Sequence, residues 1–258
     1  MTVAVVTGAA SGMGRACVDR VRGLADVVVV ADLQPPSIDG TVAVACDVSD
    51  PAAIAAVAAT VKEHGTFRAL VHAAGISPTM GDARRVLEID LVGTQLLLDA
   101  FEPLVVAGSA AVCFASSAAY QIGPYVTEEQ AALLRDPLAP DFLERAVAAA
   151  GGDSGIAYAL AKVGVQRAAA RAAVRWGAKG GRVVSLSPGL IDTPMGRQEL
   201  AAQPVMQQML ASTPLARMGT ADELAAVAAF LVSDEASFLS GIDVLVDGGL
   251  QGASTAGA

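Results

Sequence analysis

Residues Val3–Gly14 read VAVVTGAASGMG, a run of mostly β-branched residues that ends in three glycines within seven positions. Gly8, Gly12 and Gly14 form a G-x-x-x-G-x-G pattern, which differs from the G-x-G-x-x-G of the common dinucleotide fingerprint. The physics is shared. Glycines let the backbone turn sharply and approach a pyrophosphate, while the helix that follows presents free N–H groups and the positive end of its dipole. An ordinary glycine loop has the same local pattern, so the rest of the chain has to decide.

The next apolar run, DVVVVAD, ends in Asp32, eighteen residues beyond Gly14, where a carboxylate can accept from the adenosine ribose hydroxyls. A carboxylate there repels a 2′-phosphate. No lysine or arginine in Ala9–Met13 or just after Asp32 offsets it, so the expected cofactor is NAD rather than NADP. The plainer alternative is that Asp32 only closes a strand. Asp47 and Val48 close a third run and could hold the adenine edge, a weak signal when taken alone.

Seven such runs are spread along the chain: TVAVVT, DVVVVAD, TVAVACDV, RALVHAAG, AAVCFASS, GRVVSLSPG and IDVLVDGG. Each is apolar nearly throughout, as a strand buried on both faces should be. Helical stretches over Gly12–Leu24, Pro51–His64, Thr79–Ala107, Ile156–Trp176 and Thr220–Val232 lie between them. The alternation implies βαβ units with right-handed crossovers. It predicts an α/β fold: one doubly wound Rossmann domain of about seven parallel strands over residues 1–250, with ligands at the strand carboxyl ends. No internal repeat is visible, and the small polar residues 251–258 predict a flexible tail.

Composition narrows the function classes. Of the 258 residues, 53% are apolar and 17% charged, ample for a buried core, and the net charge of −9 offers no basic excess for general nucleic-acid binding. Cys17, Cys46 and Cys113 are odd in number, far apart and set in apolar runs. They fit buried thiols in a reducing compartment better than disulfides or a metal site. The glycine turn comes too early for a signal peptide, and no apolar run reaches the ~18 residues of a membrane helix. The expectation is a soluble, cytoplasmic protein with no membrane or nucleic-acid partner.

AYALAKVGVQ places Tyr158 and Lys162 four apart in a helical segment, hence on one face. A free tyrosine ionises near pH ~10, too high for an efficient base near neutrality. A fixed ammonium ~4 Å away, at an effective dielectric of ~20, supplies at most about 4 kcal/mol, or roughly three pKa units. The same ammonium could hold a nicotinamide ribose. Tyr-x-x-x-Lys by itself also occurs by chance on exposed helices.

Together these pieces resemble the short-chain dehydrogenase/reductase family. TGAASGMG, Asp32, the DV of Asp47–Val48, the AAG of Ala73–Gly75, Ser117, Tyr158 with Lys162, PGLIDTPM and the VDGG of Val246–Gly249 occur in family order over almost the whole chain. The resemblance implies a nicotinamide-dependent alcohol–ketone oxidoreductase. Tyr158 would be the general acid/base, Lys162 would lower its pKa and bind ribose, and Ser117 would hydrogen-bond the substrate oxygen. Implied cofactor contacts are Gly8, Ser11, Gly12, Met13, Gly14, Asp32, Leu33, Asp47, Val48, Ala74, Gly75, Tyr158, Lys162, Pro188, Gly189, Ile191 and Thr193. PGLIDTPM would cover the nicotinamide, with Thr193 near its carboxamide or the diphosphate.

The chain departs from the family pattern in four places. Ala73 stands where an asparagine braces the central sheet, and Ser185 where asparagine is frequent. Asp90, in EIDLVGT, replaces the asparagine of the catalytic tetrad, which kinks its helix and helps hold a water on the proton path to lysine. An ionised Asp90 accepts hydrogen bonds but cannot donate them, and its charge beside Lys162 would partly offset the lowered tyrosine pKa. Finally, 41 positions separate Ser117 from Tyr158, far more than is usual in the family.

The extra segment, about residues 121–154, carries two capping-box signatures, Thr127 with Gln130 and Asp141 with Glu144. Pro137 and Pro140 separate the two pieces and Gly151–Gly152 closes the second. This predicts an αα insertion, similar to that of the bacterial 3α-hydroxysteroid dehydrogenase/carbonyl reductase subgroup. It is expected to line an apolar substrate pocket and to obstruct one helix pair used for tetramers, favouring a homodimer. Tyr120, too close to Ser117 to be the base, is expected to pack against the insertion. His64 and His72 are expected in structural roles, and Met195, Met206 and Met209 as a lid or as core.

The expected function is an NAD-dependent dehydrogenase acting on a small apolar secondary alcohol or ketone, with steroid-like or alicyclic compounds as candidates. The alternative is a catalytically weakened nucleotide-binding protein of the same fold, with Asp90 as its symptom. Dehydration or epimerisation on this fold is a third reading. Two histidines and no G-x-S-x-G give a Ser–His hydrolase no footing.

Overall fold

Alternate residues of the first apolar run face opposite ways: Val3 and Val5 enter one apolar layer, Ala4 and Val6 another. That is why the runs read as continuously hydrophobic. In a computed structural model, which describes residues 1–256, this run forms β1 (Thr2–Thr7). The first half continues with α1 (Gly12–Val21), β2 (Val27–Asp32), β3 (Thr41–Ala45), α2 (Pro51–His64), β4 (Thr66–His72), α3 (Ala83–Leu87), α4 (Gly93–Phe101) and β5 (Ala110–Phe114). The second half holds α5 (Ala118–Ile122), α6 (Glu128–Leu133), α7 (Phe142–Ala149), α8 (Ser154–Gly177), β6 (Arg182–Pro188), β7 (Ile191–Asp192), α9 (Pro194–Ala202), α10 (Pro204–Ser212), β8 (Gly219–Thr220), α11 (Ala221–Val232), β9 (Asp243–Val246) and α12 (Leu250–Ala256).

Seven strands form one parallel sheet in the order β3-β2-β1-β4-β5-β6-β9, while β7 and β8 make a small separate pair. The order reverses at β1, so the carboxyl ends of β1 and β4 flank the crevice where such folds bind ligands. Residues of α1 and α11, such as Val18 and Leu224, pack on one face; Ile54 of α2, Leu98 of α4 and Trp176 of α8 pack on the other. Phe67 meets Phe101 and Trp176 edge-on, at 5.2 and 5.8 Å. Such aromatic pairs add to the area they bury.

Three expectations change. The helix expected over Thr79–Ala107 starts later, because the Asp82 carboxylate accepts the Arg85 N–H at 2.8 Å and fixes the first turn there. It is then interrupted by a π-helical turn over Glu88–Val92, centred on Asp90. The αα insertion is present and the Thr127–Gln130 capping box is formed, but the second box is not. Asp141 sits at φ −96°, ψ 2° rather than in extended backbone, and its carboxylate reaches Arg145 at 3.4 Å instead.

The insertion is anchored in the main core by Phe142, wholly buried, and Leu134. Gly151 and Gly152 end α7 at φ +61° and +74°, values that L side chains resist. Beyond β9, where a flexible tail was expected, the chain forms α12: the Asp247 carboxylate accepts the N–H groups of Gly249 (2.9 Å) and Gln251 (2.7 Å). The expected tail's last two residues, 257 and 258, lie outside the described residues.

Cys17, Cys46 and Cys113 are buried and unpaired. Burial pushes the Cys17 and Cys113 thiols up to about 12 and Cys46, with help from Asp47, to about 11. They are thiols and not nucleophiles. Among the described residues, no helix is long and apolar enough to cross a membrane and no acidic, thiol or imidazole cluster could hold a metal ion.

Candidate cofactor cleft and active site

The turn after β1 packs directly on the end of β4. A Cβ at Gly8, where φ is +69°, would stand 2.7 Å from the Ala74 nitrogen, and one at Gly14 would stand 2.1 Å from the Gly8 oxygen. Gly8 is therefore required by conformation and by contact, and Gly14 by contact. The Asp32 carboxylate closes the turn by accepting the Ala10 N–H at 3.0 Å. Burial would raise the Asp47 pKa, but hydrogen bonds from Ser49 (2.6 and 2.9 Å) and the Arg85 guanidinium (3.3 Å) hold it below the usual range.

These elements enclose a cavity of about 270 Å³ lined by Gly8, Ser11, Gly12, Met13, Gly14, Asp32, Leu33, Asp47, Val48, Ala74, Gly75 and Thr193, all expected from the sequence. Pro188, Gly189 and Ile191 do not line it, and neither do Tyr158 and Lys162, which were also expected to touch the cofactor. The Pro188 carbonyl accepts the Ser117 N–H at 2.8 Å, Gly189 donates to Val246 at 2.9 Å, and Ile191 is buried on β7. Thr193 caps α9 through the Gly196 N–H (3.0 Å), and a Cβ on Gly12 would be 3.5 Å from its methyl. That puts Thr193 against the glycine turn rather than out at the substrate end. Arg85 also lines the cavity and was not anticipated. Its spacing to Glu88, which it meets at 2.8 Å, was the available signal; pairing with Glu88 and Asp47 occupies its charge.

At the carboxyl end of β5 lie Ser116 and Ser117, the latter buried and the former capping α5 by accepting the Ala118 N–H at 3.2 Å. Tyr158 and Lys162 project from one face of α8 toward the same strand end. The Lys162 ammonium is 5.3 Å from the Tyr158 ring centre and donates to the Phe114 carbonyl at 3.3 Å. The Tyr120 hydroxyl donates to Asp243 Oδ2 at 2.8 Å, while the Ser185 hydroxyl donates to Oδ1 at 2.5 Å.

Asp90 is almost wholly buried, and the π-helical turn aims it at Lys162. Oδ1 accepts the Ile76 N–H at 2.8 Å; Oδ2 lies 3.3 Å from Lys162 Nζ but has no hydrogen bond of good geometry. Gly75 makes room, since a Cβ there would be 2.9 Å from Asp90 Oδ1 and 3.5 Å from Lys162 Nζ. Burial alone would lower the Lys162 pKa, yet Asp90 and Tyr158 turn it upward. The Tyr158 pKa is raised: burial is the largest cause and Asp90 adds to it, against opposition from Lys162 and Ser116. The expected net lowering by Lys162 is thus reversed, because burial of the phenol outweighs the ammonium and the Asp90 charge adds to burial.

Behind this pair, His72 supplies the brace that Ala73 lacks. Thr94 Oγ1 donates to the Asp90 carbonyl (2.7 Å), so it accepts from His72 Nε2–H (2.9 Å). His72 Nδ1 then accepts from Thr7 Oγ1 (2.8 Å), which in turn accepts the Ala74 N–H (3.3 Å). The network assigns a neutral Nε2–H tautomer. Burial and the nearby Lys162 charge push its pKa down to about 3.

Comparison with known proteins fits this geometry. A family profile described as enoyl-(acyl carrier protein) reductase matches residues 8–132 and 143–251, interrupted only at the turn between α6 and α7. An uncharacterized short-chain type dehydrogenase/reductase of Sinorhizobium fredii is 32% identical over 96% of this chain, which spans 43% of that protein's length. The chain belongs to the short-chain dehydrogenase/reductase family. Another member, the cis-4-hydroxycyclohexanecarboxylate dehydrogenase of Sinomonas cyclohexanicum, is 32% identical over 96% of this chain and 95% of its own. The structure of the 3-alpha-hydroxysteroid dehydrogenase from Pseudomonas sp. B-0831, complexed with NADH, superposes with a TM-score of 0.82 at 28% identity and covers both chains completely.

Proposed function

We propose that this family member is an NAD-dependent dehydrogenase that interconverts a hydrophobic secondary alcohol and its ketone. The observation that carries the reading is a convergence at the carboxyl ends of the central strands β1, β4 and β5. A glycine cradle closed by Asp32 and a buried Lys162 beneath the Tyr158 ring open on the same side of the sheet. The Asp32 carboxylate favours ribose hydroxyls and disfavours a 2′-phosphate, and Arg85, already paired twice, does not reverse that preference.

Bound NAD would supply the hydride acceptor. The chain's own residues do the rest. Tyr158 takes the alcohol proton during oxidation and returns it during reduction. Lys162 stabilises the phenolate, Ser117 hydrogen-bonds the substrate oxygen, and Asp90 fixes the position and charge of Lys162. Alicyclic and steroid-like alcohols are the candidates, a choice supported by the names of the two comparison enzymes.

The test is to mix the protein with NAD and a panel of secondary alcohols and follow the NADH absorbance band. Turnover in the native protein and its loss in Tyr158→Phe are expected; a Tyr158→Phe variant that kept most of its activity would overturn the mechanism. The raised Tyr158 pKa favours one second reading, a nucleotide-binding protein with weakened catalysis. NADH binding without turnover of any alcohol would establish it instead.

The assembly we propose is a homodimer. The insertion buries Phe142 against the helical layer, while Phe230, Phe238 and Ile242 stand exposed around the edge strand β9. An unpaired sheet edge flanked by apolar side chains suits a second copy of the chain. Light scattering that returned a tetramer would count against it. Three buried, unpaired thiols support a cytoplasmic location.

A further inference from the structure

The wall of the cofactor cavity holds a guanidinium that neither phosphate binding nor proton transfer uses, that of Arg85 on α3. Its place follows from the sheet. The glycine turn leaves β1, Asp32 ends the neighbouring β2, and Asp47 lies just past β3 on the far side of β2. With a pyrophosphate on the turn and the adenosine ribose at Asp32, the base is directed to the remaining end of the cavity, toward Asp47, Val48 and Arg85. Arg85 is held at that end along its whole length. A Cβ on Gly81 would stand 3.2 Å from the Arg85 Cβ and 3.4 Å from its Cγ, so the stem packs closely on that glycine. At the tip, Nη1 donates to Glu88 (2.8 Å) and to Ser49 Oγ (3.1 Å), and Nη2 donates to Asp47 Oδ2 at 3.3 Å. Most of its N–H donors are thus spent in the plane of the group on the protein itself, and two carboxylates offset its charge. The side chain still keeps 40% of its surface exposed. What it has left to offer a ligand is chiefly its flat face.

We propose that Arg85 is a cofactor-binding residue that lays its guanidinium face on the adenine ring, recognising the base by stacking rather than by charge or by an edge hydrogen bond. This rests on the reading of the cleft as an NAD site and deepens it. A guanidinium is planar, delocalised and weakly hydrated, and it stacks on an aromatic face as an ammonium cannot. Ser49, Asp47 and Glu88 hold it in place before the cofactor arrives, so little side-chain freedom is lost when the base settles on it.

Calorimetric titration with three ligands tests this. They are NADH, reduced nicotinamide mononucleotide, which lacks the adenosine, and reduced nicotinamide hypoxanthine dinucleotide, which keeps a flat purine but has no 6-amino group. NADH should bind about tenfold more weakly to Arg85→Met and to Arg85→Lys, the size of one cation–ring contact partly shielded from water. Lysine does not rescue because it keeps the charge and loses the plane. The same loss should appear with the hypoxanthine dinucleotide and be absent with the mononucleotide. If Arg85 served only to hold Asp47 for the 6-amino group, the loss would vanish with the hypoxanthine analogue. If it served only to keep the cleft in shape, the mononucleotide would weaken too. Either pattern overturns the proposal, and so does full NADH affinity in Arg85→Lys or Arg85→Met, or a native protein that binds NADH no more tightly than the mononucleotide. The titrations need no turnover, so the expected pattern in a protein that oxidises no alcohol would refute the dehydrogenase reading and leave this one standing. Turnover with an NADH affinity indifferent to Arg85 would do the reverse.

Discussion

Replacing Asp90 by asparagine should move the pH profile of alcohol oxidation toward acid by about one unit, a magnitude that follows from ~2 kcal/mol at ~9 Å and a dielectric of ~20. The distance comes from the site. Lys162 Nζ is 3.3 Å from Asp90 and 5.3 Å from the Tyr158 ring centre, so the carboxylate lies no further from the ring than those two separations end to end. The sign is fixed by the chemistry. Tyr158 must be ionised to accept the alcohol proton, so the oxidation rate rises as pH climbs through its pKa. Asp90 helps hold that pKa up, so removing its charge moves the rise to lower pH.

Lys162 loses the partner that most supports its own pKa, so the alkaline side of the profile moves down as well. The substitution also leaves a buried ammonium with neutral partners alone, the Phe114 carbonyl, the Tyr158 ring and the new amide, and a loss of up to about 3 kcal/mol of stability is expected, the low end for a broken buried pair. The assay is kcat/KM for NAD-dependent oxidation from weakly acid to alkaline pH, with circular dichroism to establish folding. A folded variant whose acid limb stayed in place, or moved to higher pH, would refute the account of the shared ammonium.

Three further outcomes can be checked. Because His72 is held near 3 in the folded state and titrates at ~6.5 when unfolded, the unfolded chain binds more protons below that pH. Stability should therefore fall by about 2 kcal/mol between pH 7 and pH 5, at ~1.4 kcal/mol per unit, in urea denaturation. His72→Asn should flatten that slope; a slope identical to the native one would exclude His72 as its source. Gly14→Ala should weaken NADH binding at least tenfold in a fluorescence titration, since the new methyl would stand 2.1 Å from the Gly8 oxygen. Undiminished affinity would mean that the turn yields more easily than its packing implies. Phe142→Ala should cost roughly 3–5 kcal/mol, the usual range for emptying a fully buried aromatic site, because the side chain is wholly enclosed. A loss under ~1 kcal/mol would show that the insertion collapses around the void.

Much of the fold was legible because its strands are buried on both faces, which leaves unbroken β-branched runs bounded by glycine and aspartate. The strand over Thr2–Thr7 and the helix over Pro51–His64 match their expected spans. The helix around Asp90 was legible, but its π-helical turn was not readable from spacing, because such a turn has no spacing signature in a stretch rich in leucine and isoleucine; the kink there was implied only by the family resemblance. The Asp141–Glu144 box failed for a related reason: side-chain identity was right, but the backbone dihedrals that capping needs are set by the turn before it.

At the site, Asp32, Tyr158 and Lys162 could be located from spacing. The direction of the Tyr158 shift could not, since it depends first on how deeply the fold buries the phenol and then on how near Asp90 comes to it in space. Arg85 escaped for a like reason: it is an ordinary polar residue in the chain and becomes distinctive only through what the fold sets beside it.

The insertion has a practical consequence. The family profile lapses between residues 132 and 143, and the stretch from Arg135 to Asp141 is largely exposed between two helices that are themselves rooted in the core. Length can change at that turn without disturbing the apolar layer, whereas excising the whole insertion would strip cover from the core that Phe142 and Leu134 fill. The Ser154 hydroxyl, just past the second helix, donates to the Pro78 carbonyl beside Ser77 at 3.0 Å. A fluorescent reporter spliced into that turn would therefore be mechanically linked to the rim of the cofactor cavity, which Ile76 and Met80 line, making the turn a natural attachment point for a sensor of occupancy.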